Sequence, residues 1–278
     1  MERKLVKQGR NALTVTLPAE WLRRQRLEAG NSVFLEENNH QITIKSERLR
    51  PKEETTIDVR DCEKGLIYHY ILAKYIEGYD TIIVEHNNPT LLQEVAESLL
   101  GMIIEEHTSI KTVFKSIIAV PEENFQAVLR RATFILLQQA RTLLAIAEKK
   151  ANLEQIKAEE KLLDYNILYC LRYLNKYEDK KHAYRYFLLC STIEQAGDHL
   201  STLGKEIGNN TELAKNINLI ISDYISFLFK QDLEKVYATL KSFRKNIRKK
   251  TFQEGIAFAL AEALYNYLGY LMDDEKKT

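Results

Sequence analysis

The sequence feature that most constrains the fold of this chain is a long stretch without helix breakers. No proline follows Pro121, and no glycine lies between Glu122 and Ala196. Proline and glycine interrupt helices more strongly than other residues, whereas Ala, Leu, Lys, Glu and Gln, which are abundant here, favour them. The sequence therefore predicts that the C-terminal half of the chain is helical.

Short polar interruptions divide this half into six predicted helices. They lie near residues 122–150, 153–177, 180–206, 211–229, 231–250 and 252–272. Such short connections place consecutive helices antiparallel, and six antiparallel helices form a pair of three-helix bundles. In the third helix, large apolar residues recur every three or four positions and define one core-facing seam. The seam consists of Tyr186, Leu189, Ile193, Ala196, Leu200, Leu203 and Ile207.

The distribution of charge divides the chain into three predicted domains. At 278 residues the chain is too long to fold around a single hydrophobic core of ordinary size. Residues 1–50 carry 10 basic and 6 acidic side chains, residues 51–120 carry 6 and 12, and residues 121–278 carry 24 and 21. We therefore expect a multidomain α+β protein with a basic head, an acidic middle and a helical tail. Only the head has the charge that suits a polyanionic partner.

The composition is that of a globular protein. With 45% apolar and 28% charged residues, it excludes a disordered or collagen-like chain. No apolar run approaches the roughly 20 residues that span a bilayer, and no signal-peptide block follows the N-terminus. The three cysteines, Cys62, Cys170 and Cys190, are odd in number and far apart, which argues against a disulfide framework. We expect a reducing cytoplasmic location and no membrane insertion.

The head has the pattern of a small β unit. We predict strands at 5–9 and 12–17, a helix at 19–26, and a hairpin of strands at 32–37 and 41–45. Pro18 suits the first position of the helix, where a backbone N–H has no partner to lose. A segment of some 50 residues with this order of elements is too small to form a hydrophobic core of its own. We therefore expect the head to intertwine with a second copy.

The first 26 residues of the head are strongly basic. Their cations are Arg3, Lys4, Lys7, Arg10, Arg23, Arg24 and Arg26. Only Glu2 and Glu20 oppose them. A charge run of this kind is usually a solvated surface, but this density also suits phosphate binding.

The order of elements in the head resembles the SpoVT/AbrB (MazE-like) family of swapped-hairpin DNA-binding domains. The similar segments are residues 4–9, 14–18, 20–22 and 27–31. Residues 17–21, Leu-Pro-Ala-Glu-Trp, are similar in particular to the variant found in archaeal phosphate-uptake regulators. The resemblance implies that two chains form one swapped-hairpin β-barrel that binds double-stranded DNA. Asn31 stands where Asp is more usual in the turn.

By this resemblance, Lys7, Arg10 and Asn11 lie on the face that the barrel presents to DNA. The full set of predicted DNA-binding residues is Arg3, Lys4, Lys7, Arg10, Asn11, Arg23 and Arg24.

The acidic middle alternates between strands and helices. We predict strands at 55–59, 81–84, 102–105 and 112–120, with helices at 63–76 and 89–101. This β-α-β-α-β-β order predicts a small sheet with helices on one face. Residues 75–80 and 100–106 are similar to the middle segment of the same archaeal regulators. The middle contains no glycine-rich nucleotide loop.

Two carboxylates of the tail are candidates for binding a metal ion. Glu194 and Asp198 lie one helical turn apart, nearly opposite the apolar seam. Such a pair is usually part of an ordinary solvated face, where like charges repel. It can also supply two hard oxygen ligands if a neighbouring helix adds more. Asp164 on the preceding helix is a weaker candidate of that kind.

Residues 193–199, Ile-Glu-Gln-Ala-Gly-Asp-His, resemble the Glu-x-x-x-Asp motif of PhoU-type phosphate regulators. The six-helix pattern is similar to that family throughout. The resemblance implies a divalent or iron-type metal ion on the bundle exterior and no organic cofactor. In the last helix the corresponding residues are Glu262 and Asn266, whose amide is a weaker ligand, with Asp273 as a further carboxylate. We therefore expect one metal site rather than two.

The fifth predicted helix ends in a cluster of cations. They are Arg244, Lys245, Arg248, Lys249 and Lys250. Cations near a helix C-terminus interact favourably with the helix dipole, which needs no ligand. An acidic partner is the alternative.

Together these features predict a DNA-binding transcriptional regulator of phosphate uptake, with a tail that senses phosphate status or a partner protein. We expect no catalysis, because no nucleophile has an oriented base. The alternative is a signalling adaptor that regulates a phosphate transporter or kinase by protein contact. An antitoxin would explain the head but not the 228 residues after it, since an antitoxin more naturally ends in a short disordered tail.

Overall fold

The computed structural model of the protein describes residues 3–9, 12–25, 27–38, 41–46, 52–117, 122–178, 180–230 and 232–275. The chain divides into two compact units, Met1–Lys52 and Glu53–Thr278. The division predicted between residues 120 and 121 lies outside the described residues and stays a prediction. In the described part of the chain, no helix combines the length and the apolar character that crossing a bilayer requires.

The first unit has the order of elements that the sequence predicts. They are β1 (Val6–Gln8), β2 (Ala12–Thr14), α1 (Ala19–Gln25), β3 (Val33–Asn38) and β4 (Gln41–Ser46). β1 pairs with β2 and β3 pairs with β4, in both cases antiparallel. The two pairs form separate two-stranded sheets, so a single chain does not close the predicted barrel.

The described residues of the first unit form no buried apolar core. Seven of its large apolar side chains are 45–67% exposed: Leu5, Val6, Leu13, Val15, Phe34, Leu35 and Ile42. None of the described side chains in this unit is buried. A single copy therefore lacks the apolar burial that stabilises a folded domain.

The second unit begins with a four-stranded mixed sheet that has two helices on one face. Its elements are β5 (Glu54–Asp58), α2 (Lys64–Glu77), β6 (Thr81–Glu85), α3 (Pro89–Ala96), β7 (Met102–His107) and β8 (Lys111–Ser116). The strand order is β5-β6-β8-β7, with β5 parallel to β6 and the other neighbours antiparallel. Ile82 and Phe114 are paired across β6 and β8, and both are completely buried. They share one apolar cluster with Ile71 of α2 and Leu92 of α3, which confirms the predicted order.

Six helices follow the sheet and confirm the helical pattern of the sequence. They are α4 (Glu122–Ala147), α5 (Leu153–Tyr177), α6 (Lys180–Glu206), α7 (Thr211–Lys230), α8 (Leu233–Asn246) and α9 (Phe252–Glu275). α4, α5 and α6 contact one another, as do α7, α8 and α9. Contacts of α4 with α7 and of α6 with α9 join the two sets around one continuous apolar core. The predicted seam of α6 is buried apart from Tyr186, which is half-buried.

α5 and α6 approach each other closely at Gly197. A β-carbon at this position would collide with the Leu163 side chain on α5. The glycine therefore allows the turn of α6 that carries Glu194 and Asp198 to lie against α5.

Buried polar contacts fix the sheet to α5. Arg172 is 4% exposed, and its two terminal nitrogens donate hydrogen bonds of 2.7 Å to the carbonyl oxygens of Tyr75 and Tyr79. Its guanidinium carbon lies 4.9 Å from the centroid of the Tyr75 ring. Because the last carbonyls of a helix have no partner within the helix, these bonds satisfy groups around the end of α2.

Asp80 connects α5 to the start of the second unit. Lys176 on α5 forms an ion pair with Asp80 and donates a 2.7 Å hydrogen bond to the Gly78 carbonyl oxygen. The other carboxylate oxygen of Asp80 accepts a 3.1 Å hydrogen bond from the backbone N–H of Glu53. The backbone N–H of Asp80 donates in turn to the Glu53 carbonyl oxygen at 2.8 Å. Glu53 directly follows the first unit.

Candidate functional site

The first candidate site is the cationic surface of the first unit. Four of the predicted DNA-binding side chains are exposed: Arg3, Lys4, Lys7 and Arg23. Three others lie outside the described side chains: Arg10, Asn11 and Arg24. Exposed cations of this kind can contact the phosphates of a polyanion without losing buried partners.

Strand pairing positions Lys7. It is paired with Leu13 across β1 and β2, so the two side chains project from the same face. Gly9 follows β1 with φ 71°, a left-handed conformation that favours glycine. Lys7 therefore lies close to the connection between the two strands.

Asn31 closes the turn before β3. Its side-chain oxygen accepts a 2.8 Å hydrogen bond from the backbone N–H of Glu28, and its own N–H donates to the Glu28 carbonyl oxygen at 3.0 Å. Asn and Asp both offer the oxygen that such a turn requires. The departure from the usual Asp therefore leaves this turn intact.

The second candidate site is a carboxylate cluster between α5 and α6, formed by Glu160, Asp164, Glu194 and Asp198. Burial, and then the charges of the other three members, raise the pKa of Asp164 to about 7. Burial and the charge of Asp198 raise the pKa of Glu194. Burial also raises the pKa of Asp198, although His199 acts in the opposite direction. A cation bound at the cluster would relieve this repulsion.

Glu160 belongs to this cluster although no prediction from the sequence includes it. Ser201 on α6 donates a hydrogen bond to its carboxylate. Glu160 precedes Asp164 by four residues, so 160–164 repeats the Glu-x-x-x-Asp spacing of 194–198. This repeated spacing on neighbouring helices is the signal that could have identified it.

The donor chemistry of the cluster fits a hard metal ion. Carboxylate oxygens suit Mg²⁺, Ca²⁺ and Mn²⁺. The buried Gln139 side chain lies beside Gly197, and neither its nitrogen nor its oxygen has a hydrogen-bond partner in the described part of the chain. Among the described residues, no three His, Cys, Asp or Glu side chains are close enough to hold a metal ion together as they stand.

The weaker candidate site on the last helix has a different arrangement. Arg244 donates two hydrogen bonds to the Glu262 carboxylate, one of 2.8 Å from Nε and one of 2.9 Å from Nη2. Asn266 is exposed, and the side chain of Asp273 lies outside the described residues. Because the Glu262 carboxylate is already paired with a cation, it has less charge to offer a metal ion, and this second site stays a prediction.

Comparison with known proteins identifies the first unit. The sequence model of the family described as "Antidote-toxin recognition MazE, bacterial antitoxin" matches residues 6–53. The head is therefore similar to MazE-like domains of the SpoVT/AbrB type, as its order of elements indicates. No curated protein and no solved structure matches the chain. The resemblance of the helical tail to PhoU-type regulators stays a prediction.

Proposed function

We propose that the protein is a DNA-binding transcriptional regulator of phosphate uptake and phosphate homeostasis that acts as a homodimer. The observation that carries this proposal is the MazE-like head, in which exposed cations share a small unit with uncovered apolar side chains. The cations supply charge for a polyanion, and the apolar side chains require a second copy.

Dimerisation follows from the hairpin of β3 and β4. Leu35 is paired with Ile44 and Glu37 with Ile42, so Leu35 and Ile42 project from the same face. Both are among the most exposed apolar side chains of the head. Two hairpins that bury these faces against each other would complete the barrel that one chain leaves open.

Duplex binding follows from the charge of the completed barrel. A two-fold symmetric dimer presents each exposed cation twice, including Lys7 and Arg23. Contacts between such cations and DNA phosphates release counterions, which is the main source of affinity for duplexes of any sequence. The head therefore supplies the charge for DNA binding, and we assign the sensing of a signal to the second unit.

The tail supplies the phosphate-related part of the proposal. Its Glu194 and Asp198 resemble the motif of PhoU-type regulators, and the charges of both act on Asp164 of α5, as does the charge of Glu160. These four carboxylates would have to move closer together to hold a divalent or iron-type metal ion, because no three of them are close enough as they stand. The ion would supply positive charge that offsets the repulsion within the cluster.

The DNA-binding part of the proposal is tested by removing two cations of the head. Lys7→Gln with Arg23→Gln is expected to weaken duplex binding by about 10- to 100-fold at low salt, because the dimer loses four phosphate contacts. The slope of log affinity against log salt is expected to fall by roughly 3 to 4. Fluorescence anisotropy of a labelled duplex, measured over a series of salt concentrations, gives both quantities.

A matched control for this experiment is Arg141→Gln with Lys215→Gln, which removes the same charge from exposed positions on α4 and α7. It should leave the salt slope unchanged. If the unmodified protein does not bind a duplex even at low salt, the proposal of DNA binding is wrong.

The carboxylate cluster is tested through the pH dependence of stability. The pKa of Asp164 is raised from 3.8 to about 7, so the folded protein keeps a proton that the unfolded chain releases. Stability should therefore fall as the pH rises from about 4 to about 7 and then level off, by roughly 2 kcal/mol after allowance for solvent screening. Asp164→Asn should reduce this fall, leaving the part that the raised pKa values of Glu194 and Asp198 contribute, and should melt at a higher temperature than the wild type at pH 8. Thermal unfolding followed by circular dichroism at both ends of this range is the measurement.

The same measurement distinguishes a metal site from an empty carboxylate cluster. Manganese is expected to raise the unfolding temperature of the wild type at pH 8, and not that of Glu194→Gln with Asp198→Asn. An equal response of both proteins would exclude the cluster as the place where the ion binds.

An exposed aromatic pair favours the adaptor as the alternative function. Phe134 on α4 and Phe229 on α7 are 54% and 47% exposed, and their rings stack with centroids 5.9 Å apart. The guanidinium of Arg130 lies 5.7 Å from the Phe229 ring. Exposed aromatic rings beside arginine are typical of protein–protein contacts. The partner in this alternative is a phosphate transporter component, and no duplex binding is expected.

The description of the matched family also raises the antitoxin alternative. The second unit has a continuous apolar core through six helices. Its size and packing differ from a short tail that folds only around a toxin, and this favours the regulator.

A further inference from the structure

The end of α8 and the residues after it carry the densest group of cations in the second unit. This basic segment consists of Lys241, Arg244, Lys245, Arg248, Lys249 and Lys250. Over residues 241–262 it is accompanied by two carboxylates, those of Glu254 and Glu262. The segment therefore has a strong positive charge.

Both carboxylates have local partners. Glu262 accepts two hydrogen bonds from Arg244. Glu254 accepts hydrogen bonds of 2.8 and 3.1 Å from the backbone N–H groups of Lys250 and Thr251, at the start of α9. Within the described part of the chain, Lys245, Arg248 and the ammonium of Lys250 have no carboxylate partner.

Aromatic rings of α8 and α9 hold three of the cations in place. The Arg244 guanidinium lies 4.0 Å from the centroid of the Tyr265 ring, and the Lys249 ammonium lies 3.2 Å from that of Phe258. The Lys241 ammonium lies 5.6 Å from the ring of Tyr237. Such contacts restrict long side chains before any ligand binds, which lowers the entropy cost of binding.

The helix dipole does not account for the whole segment. The effect of a dipole falls off within the last turn of a helix, so it accounts for Arg244 and Lys245. Arg248, Lys249 and Lys250 follow the end of α8 at Asn246. Lys249 also adopts φ 55°, a left-handed conformation that is strained for a residue other than glycine. These three cations require another explanation.

An uncovered aromatic side chain lies next to the segment. Phe252 is the first residue of α9, two positions after Lys250, and is 67% exposed. No aromatic side chain in the described part of the chain is more exposed. Proteins that bind unpaired nucleic acid combine two features. Cations along the surface contact the phosphate backbone, and an exposed aromatic ring stacks on a base.

We propose that the basic segment and Phe252 bind single-stranded nucleic acid, with the cations on backbone phosphates and Phe252 stacked on a base. The bases of a duplex are stacked on each other and would leave Phe252 without a partner, so the surface suits an unpaired strand. This binding is additional to the proposed duplex contact of the head and does not depend on it.

The test uses the full chain with Lys7→Gln and Arg23→Gln, which suppresses binding by the head. In this background a labelled oligothymidine is titrated by fluorescence anisotropy at low salt. Phe252→Ala is expected to weaken binding by roughly 5- to 100-fold, the range for loss of one stacked base. Lys245→Gln with Arg248→Gln and Lys250→Gln is expected to lower the salt slope by about 2.

Two matched controls separate the proposed surface from general effects. Tyr184→Ala removes another exposed aromatic ring, and it should leave the affinity unchanged. Arg131→Gln with Arg141→Gln and Lys215→Gln removes three exposed cations elsewhere, and it should leave the salt slope unchanged. Circular dichroism checks that each variant is folded.

Three results would overturn the inference. The first is no binding of the oligonucleotide at low salt, and the second is equal binding by the Phe252→Ala and Tyr184→Ala variants. The third is displacement of the oligonucleotide by inorganic polyphosphate together with an unchanged affinity of Phe252→Ala, which would show a phosphate-chain site without base stacking.

Discussion

Replacing Leu35 and Ile42 by glutamate is expected to convert the protein from a dimer into a monomer. Both side chains project from one face of the β3–β4 hairpin and are exposed in a single chain. In the proposed dimer they are buried against the partner's copy of the same face. Glutamates there would place charges in an apolar interface without partners.

The expected effect on dimerisation is large. Burial of one Leu or Ile side chain contributes roughly 1.5 to 3 kcal/mol. The double variant removes four such side chains per dimer, which is at least about 6 kcal/mol or on the order of 10⁴-fold in the dissociation constant. Sedimentation velocity of the full chain should show a shift from dimer to monomer, accompanied by a loss of duplex binding.

The matched control for dimerisation is Gln8→Glu with Ser32→Glu. Both positions are exposed and polar, so this variant adds the same charge to the head without removing apolar surface. It should remain dimeric. A wild-type protein that sediments as a monomer at all concentrations would contradict the proposed barrel.

Arg172→Ala is expected to cause the largest loss of stability among single substitutions in the second unit that leave the apolar core unchanged. The variant removes two 2.7 Å hydrogen bonds to the carbonyl oxygens of Tyr75 and Tyr79, together with the contact to the Tyr75 ring. Alanine offers no donor, and the Arg172 side chain that it replaces is almost completely buried. The Tyr75 carbonyl oxygen keeps a 3.1 Å hydrogen bond from the Gly78 N–H, whereas the part-buried Tyr79 carbonyl loses the partner that Arg172 provides, which is costly.

The expected loss of stability is roughly 3 kcal/mol, since hydrogen bonds from a charged donor contribute about 1.5 to 3 kcal/mol each. For a unit of this size that corresponds to a decrease of about 6 to 12 °C in the unfolding temperature. Urea unfolding followed by circular dichroism measures the free energy directly, and hydrogen exchange of α2 shows whether the sheet opens first.

Lys161→Ala is the control for this prediction. Lys161 on α5 forms an ion pair of 2.9 Å with Glu97, so it also links the sheet region to the helices, but both side chains are largely exposed. An exposed ion pair contributes less than about 1 kcal/mol. Similar losses for the two variants would show that burial of Arg172 is not what fixes the sheet to α5.

The helices could be predicted because they depend on local properties of the sequence. α5 begins after Asn152, whose side chain accepts a hydrogen bond of 3.1 Å from the backbone N–H of Gln155, as expected of a helix cap. The ends of α4 and α8 were harder to predict, and both lie before the predicted residues 150 and 250. Lys149 and Lys249 adopt φ 60° and 55° just after these ends. Glycine is more usual at such positions and would have indicated the helix end in the sequence.

The carboxylate cluster could be predicted only in part. The spacing of Glu194 and Asp198 is visible on one helix, but the position of Asp164 depends on how α5 packs against α6. That packing depends on the contact between Gly197 and Leu163, which no local pattern shows. For the same reason Glu160 was not predicted, although its spacing from Asp164 repeats the motif.

The order of elements in the head could be predicted from one sequence, but the closure of its barrel could not. The order of its strands and helix is local and agrees with the structure and with the family match. Closure of the barrel depends on surfaces that two chains share, such as the face of Leu35 and Ile42. A single sequence shows that these side chains are apolar, and the structure of one chain shows that they are exposed.

The bond between Asp80 and Glu53 has a consequence for signal transmission. Asp80 is bound on one side by Lys176 of α5, the helix that also carries Asp164, and on the other by the backbone of Glu53. A displacement of α5 that follows a change of charge at Asp164 would therefore pull on the residue where the head is attached. The contacts of Lys176, Asp80 and Glu53 thus connect α5, which carries part of the carboxylate cluster, to the first residue of the second unit.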